Sequence, residues 1–345
     1  MTRARNQLIS LDATPYYHTI SRCVRRAFLC GEDTLTGKNY EHRKQWAIDR
    51  LRELSGVFAI DICAYAIMSN HYHLVLRINA QKAGAWSEAQ VIERWGKLFK
   101  IPLLVTRYQS GGTTSQAEKS KARAIIKDWQ ERLSDISWFM RSLNEYLARQ
   151  ANEEDQCTGR FWEGRFKSQA LLDEAAVLTC MSYVDLNPVR AGMAETPEES
   201  DFTSIQQRIR QFGKPSQGQS TQANQTNLPL MPLVKQHKDP HRNAMGFTLR
   251  EYLQLIDWAG RVVKSGKRGA ISEETPPILQ RIGLESSRFV EHLQGYAATE
   301  QQTVMGHFQK IRLAAQTLGR RFLKGGGEAR RLYVVPACAG NVTGW

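Results

Sequence analysis

The sequence predicts a mixed α+β fold, and three observations carry that reading. Residues 57–67 and 71–78 are rich in β-branched and aromatic residues, and only Met68-Ser69-Asn70 separates them, so they read as a β-hairpin. Two further stretches, 16–26 and 169–172, read as strands. Between these lie runs whose apolar residues return at helical spacing.

Taken in order, the first strand covers 16–26 and has a basic end. A helix over 41–54 follows, with Trp46, Ile48 and Leu51 as its apolar positions. The hairpin comes next. Residues 79–135 form a charged, mainly helical insertion broken by Gly111-Gly112-Thr113-Thr114-Ser115. Phe139, Leu143, Tyr146 and Leu147 mark a helix over 136–150. After the fourth strand, Asp173 caps a helix that runs to Asn187, and Pro188 ends it.

Residues 213–245 are rich in Gln, Ser, Asn, Pro and Lys and read as a linker. Helical spacing resumes over 247–263, 277–284, 288–296 and 303–323. The predicted organisation is therefore a domain over 1–212, a linker over 213–245 and a helical C-terminal domain over 246–345. Leu249, Leu253, Ile256 and Val263, then Ile311, Ala315, Leu318 and Phe322, are the apolar faces of that last domain. Its Lys and Arg residues, seven in 305–332 against Glu328 alone, suit a DNA-contacting face.

The net charge is +13, from 47 Lys and Arg against 34 Asp and Glu, which points to a polyanionic partner, nucleic acid by default. Six cysteines at 23, 30, 63, 157, 180 and 338 form no C-x-x-C pair, so a zinc ribbon is not expected and reduced cytosolic thiols are. No apolar run reaches the ~18 residues of a membrane helix, and the N-terminus lacks a signal-peptide core, so no membrane partner is expected.

The chemistry centres on His71-Tyr72-His73. Strand alternation puts His71 and His73 on one face and Tyr72 on the other, and two imidazoles side by side form half of a metal site. Tyr183 and Asn187 are four apart on the helix before Pro188 and share a face. The Asn187 carboxamide oxygen can be a third ligand, and the Tyr183 phenol a nucleophile toward a polarised phosphorus. Arg160, Arg165, Lys167 and Arg190 are candidates for binding phosphate, with Phe161 or Trp162 stacking a base. Taken singly, each feature has a plainer reading: half-exposed histidines, a core tyrosine, a helix stop, a packed turn. Their conjunction is what points to a site.

Three motifs resemble those of the single-tyrosine HUH transposases, and within them the REP-associated tyrosine transposases. They are Met68-Ser69-Asn70-His71-Tyr72-His73-Leu74-Val75-Leu76, Gly159-Arg160-Phe161-Trp162-Glu163-Gly164-Arg165-Phe166-Lys167, and Tyr183-Val184-Asp185-Leu186-Asn187-Pro188-Val189-Arg190-Ala191-Gly192. Tyr17-His18-Thr19-Ile20-Ser21-Arg22 fits the family's first strand, and the likeness covers 14–210. It implies a ferredoxin-like or RRM-like antiparallel sheet with helices on one face. It also implies a divalent metal, Mg²⁺ or Mn²⁺, on His71 and His73 with Asn187 as third ligand. Tyr183 would be the nucleophile, giving a 5′-phosphotyrosine and a free 3′-hydroxyl on single-stranded, hairpin-forming DNA. A cytoplasmic, nucleoid-associated bacterial protein is implied, and the oligomeric state stays open, a homodimer included.

Three departures stand out. Many relatives carry a histidine where this chain has Asp185, which adds a carboxylate near the metal and whose role is open. The segment 79–135 is longer than in compact members, and the region after 213 has no counterpart in them. The competing reading is a DNA-binding regulator of palindromic repeats on the same fold, without catalysis. A metal-dependent small-molecule hydrolase explains the dyad but not the charge, and the chain has no H-E-x-x-H.

Overall fold

Among the described residues, five strands form one mixed sheet in the order β2-β3-β1-β4-β5. The computed structural model describes residues 9–24, 29–33, 37–113, 115–213, 227–234, 246–265 and 276–333. Strands β1 (Tyr16–Arg22), β2 (Ile60–Ile67), β3 (His71–Ile78) and β4 (Lys167–Leu171) pair antiparallel. The short β5 (Val304–Met305) joins β4 in parallel, so the sheet is not purely antiparallel. Met68 N–H donates to the His71 carbonyl at 2.8 Å, which closes the expected hairpin.

Helix α1 (Arg43–Val57) connects β1 to β2. The insertion between β3 and β4 holds α2 (Ala80–Gly84), α3 (Glu88–Gly96), α4 (Leu103–Gln109), α5 (Gln116–Arg132) and α6 (Ile136–Glu154). Trp95 stacks on Trp129 with centroids 5.0 Å apart, giving α3 and α5 a small core of their own. After β4 come α7 (Glu174–Asp185), α8 (Asn187–Arg190) and α9 (Ser204–Phe212). The chain beyond supplies α10 (Leu249–Ser265), α11 (Pro277–Arg281), α12 (Ser286–Thr299), α13 (Phe308–Thr317) and α14 (Gly326–Leu332).

Helices cover both faces of the sheet, not one as the resemblance implied. Cross-strand partners share a face, so Tyr72 lies with Ser21 and Leu74 with Thr19. That face meets α6: the Tyr72 hydroxyl donates to Asn144 Oδ1 at 2.5 Å, and Asn144 Nδ2 donates to Ser21 Oγ at 3.0 Å. The opposite face carries His71 with Arg22, and His73 with Ile20 and Ala66. Helix α7 packs there, against β2 and β3. Burial on both faces explains why β2 reads as a nearly continuous apolar run, Ile-Asp-Ile-Cys-Ala-Tyr-Ala-Ile.

Two expected elements end differently. Helix α7 stops at Asp185, before Pro188, and the chain then makes the short α8 with Pro188 in its first turn, a place where proline's missing N–H costs nothing. The helix expected over 303–323 is β5 followed by α13. Gly306 at φ +153° breaks the run, and a Cβ there would press on Leu172. Phe322, expected on a packed face, is 73 % exposed.

Much of the stretch expected as a linker, 214–226 and 235–245, lies outside the described residues. Within it, residues 227–234 run along β2: Leu230 bridges Ile62 in parallel, Met231 N–H donates to the Ile62 carbonyl at 2.8 Å, and Leu228 and Met231 are buried. This covers the exposed edge of β2. The five described cysteines form no disulfide. No described helix is long and apolar enough to cross a membrane.

Candidate active site

The hairpin turn delivers His71 and His73 to the α7 face of the sheet, with ring centroids 4.9 Å apart. Their Nδ1 atoms are both engaged. His71 Nδ1 lies 2.6 Å from Asn70 Oδ1, and His73 Nδ1 lies 3.0 Å from His18 Nε2. His73 Nε2 is buried without a hydrogen-bond partner. It offers a lone pair when the His73 proton sits on Nδ1 and is donated to His18. Burial pushes His18 down to about 3 and, aided by Arg22 and Lys167, His71 down to about 4. Burial holds His73 well below the ordinary histidine value. All three rings are therefore neutral near pH 7.

Tyr183 comes to the same place from α7. Its ring meets His73 edge-on at 5.6 Å, and Tyr296 of α12 stacks on it at 4.1 Å. The Arg190 guanidinium lies 4.9 Å from the ring centroid and donates to the Gln294 carbonyl at 2.9 Å. The Tyr183 hydroxyl donates to Glu300 Oε1 at 2.7 Å. Burial and the Glu300 charge push this phenol up, and Arg190 opposes them. Tyr183 is 2 % exposed and His73 0 %, so the nucleophile candidate is covered by the end of α12.

Asn187 follows in α8, 8 % exposed, with Nδ2 unpartnered. Asp185 faces elsewhere. Its carboxylate accepts from Ser204 Oγ, from Ile205 N–H at 3.0 Å and from the Tyr252 hydroxyl at 2.5 Å, tying α7 to α9 and α10. That answers the question the sequence left open: Asp185 braces α7 rather than adding a carboxylate beside the dyad.

The 159–167 run docks on the end of β1: Val24 N–H donates to the Phe161 carbonyl, and Glu163 N–H to the Arg22 carbonyl. Phe161 is buried in the core, so as placed it stacks on no base. Trp162 is half-buried and its indole N–H donates to the Asn144 carbonyl at 2.9 Å. With Arg165 and Phe166 it lines a groove against α6. Arg160, Arg165 and Lys167 are exposed. Lys167 and Arg22 both bear on His71, which gives the dyad end of the sheet a positive rim.

The residues fit a metal in part. Two imidazoles have their Nδ1 atoms held and one buried Nε2 is unpartnered. Among the described residues, however, no three His, Cys, Asp or Glu side chains converge as a ready metal centre. His18, Arg22, Tyr296 and Glu300 were not singled out from the sequence. Strand alternation alone puts His18 and Arg22 on one face of β1. Nothing local marks Tyr296 or Glu300, which meet Tyr183 across more than a hundred residues of chain.

No protein-family model and no curated protein matches this chain. Among solved structures it is similar to a REP-associated tyrosine transposase bound to a REP hairpin, with 12 % identity and a TM-score of 0.36, over 64 % of this chain and 92 % of that one.

Proposed function

We propose that this protein cleaves and rejoins single-stranded, hairpin-forming DNA through a 5′-phosphotyrosine on Tyr183, with Mg²⁺ or Mn²⁺ bound by His71, His73 and Asn187. The observation that carries the reading is the buried, unpartnered His73 Nε2 beside the Tyr183 ring. The split arrangement β1-α1-β2 with β3 inserted between, and β4 on the far side of β1, supports a ferredoxin-like core. A helical C-terminal domain over 246–345 is part of the same proposal.

In this reading the Tyr183 oxygen bonds to the scissile phosphorus as the bond to the 3′ oxygen breaks. The phenol gives up its proton and the departing 3′ oxygen gains one. Rejoining reverses each change, so the phosphotyrosine keeps the bond energy. The metal, when bound, polarises the phosphate and offsets charge in the transition state. Tyr296 and Arg190 hold the phenol ring in position. Because Tyr183 is 2 % exposed, a strand reaches it only when the end of α12 moves aside.

The test is a 5′- or 3′-labelled single-stranded hairpin incubated with protein and Mn²⁺, then run on a denaturing gel. A covalent protein–DNA band is expected. The burial of Tyr183 also favours the second reading, a DNA-binding regulator without cleavage. Retarded hairpin on a native gel with no covalent band under any divalent metal would select that one.

Lys167→Ala should weaken single-strand binding and reduce the slope of log affinity against log salt by ~0.7, the share of one phosphate contact. An unchanged slope would remove Lys167 from the interface.

A further inference from the structure

We propose that Glu300, at the end of α12, is a ligand of the same metal ion, supplied to the histidine dyad from the C-terminal region. The inference rests on the dyad being a metal site. Glu300 Oε1 stands 4.0 Å from His73 Nε2, and nothing else bonds that nitrogen. As placed, His71, His73 and Glu300 do not yet converge on one point; donor bonds of about 2.0–2.2 Å put ligand atoms about 3–3.5 Å apart at the usual angles, so an ion would draw the carboxylate in by less than about 1 Å. The same oxygen accepts the Tyr183 hydroxyl at 2.7 Å, which would place the nucleophile one ligand away from the ion.

The carboxylate is set in place by the fold. Its side chain is 9 % exposed. Tyr296, one turn earlier on α12, stacks on Tyr183 and donates to Gln169 Oε1 at 2.9 Å. Gln169 Nε2 donates in turn to the Thr299 carbonyl at 3.2 Å, next to Glu300. Just beyond, β5 pins the chain to β4. Among the described residues this nearly buried carboxylate meets a phenol at 2.7 Å and the His73 imidazole at 4.0 Å, and a divalent cation would give it a full counter-charge.

Mn²⁺ binding to the full-length protein, read by electron paramagnetic resonance and calorimetry, tests this without turnover. The wild type is expected to bind one Mn²⁺, and His71→Ala with His73→Ala to lose it. Glu300→Gln keeps the shape and still accepts the Tyr183 hydroxyl, yet should weaken binding at least ~10-fold. Tyr183→Phe should bind as the wild type does. Circular dichroism and melting establish that each variant is folded, and Glu300→Asp, which keeps the charge, provides a second variant. If the wild type binds no Mn²⁺, the metal reading of the dyad fails and this inference with it. If the wild type binds, the histidine variants do not, and Glu300→Gln binds as tightly as the wild type, Glu300 alone is overturned. Faster cleavage by a Glu300→Gln variant with undiminished metal affinity would also overturn it, marking the carboxylate as a plug in the phosphate's place.

Discussion

Tyr183→Phe is expected to abolish the covalent protein–DNA band, at least ~10³-fold below the wild type, while hairpin affinity stays unchanged. The substitution removes only the hydroxyl. The ring keeps its stack on Tyr296 and its edge contact with His73. It loses the hydrogen bond to Glu300, which costs about 1 kcal/mol of stability. A covalent band that survives in this variant would assign the chemistry to another tyrosine. Tyr65 and Tyr72 are poor substitutes, because their hydroxyls are engaged away from the dyad, Tyr65 with Gln207 Oε1 at 3.3 Å and Tyr72 with Asn144 on the opposite face of the sheet. Tyr146, half-buried on α6, is the next to test.

The near-sequence parts of this site were legible, because each depends on a local rule. Alternation put His71 and His73 on one face, and helical spacing paired Tyr183 with Asn187 without stating where that face points. Strands β1 to β4 and helices α1, α6 and α7 follow from periodicities contained within each segment. The parts that escaped depend on register and on distant contacts. His18 reaches His73 only because β1 pairs with β3 so that Ile20 opposes His73, and no local pattern states that register. Strand β5 is two residues long, and its parallel pairing with β4 joins points more than a hundred residues apart, far below what a period-2 pattern can reveal. Phe161 looked like a stacking surface because it sits among arginines, yet the chain folds it inward where 161–163 docks on β1. Glu300 carries no motif, and it is identified only by what it touches.

Asp185→Ala is expected to give the largest loss of stability. It strips the acceptor from Ser204 Oγ, Ile205 N–H and the Tyr252 hydroxyl, all of them buried. The Ser204 hydroxyl keeps the Tyr65 carbonyl at 3.3 Å, so two donors are orphaned, and at ~1–3 kcal/mol each they amount to ~2–6 kcal/mol, a large part of the ~5–15 kcal/mol that holds a domain together. Asp185→Asn should behave differently, because the amide oxygen still accepts and the amide nitrogen can donate to the Tyr252 oxygen. The two variants also separate in their pH dependence. Burial raises Asp185 from 3.8 to about 6, against the pull of its three donors and of Arg208. Between those values the folded protein holds a proton that the unfolded chain has released, so stability from this group is fullest below pH 4 and falls as pH rises through 6. The gap of roughly two units is worth ~3 kcal/mol. Urea midpoints of the wild type should therefore decline from pH 4 to pH 6 relative to Asp185→Asn, which has nothing to ionise there. Parallel curves for the two proteins would mean that the three donors keep Asp185 ionised throughout, and that the carboxylate braces α7 as a fixed charge.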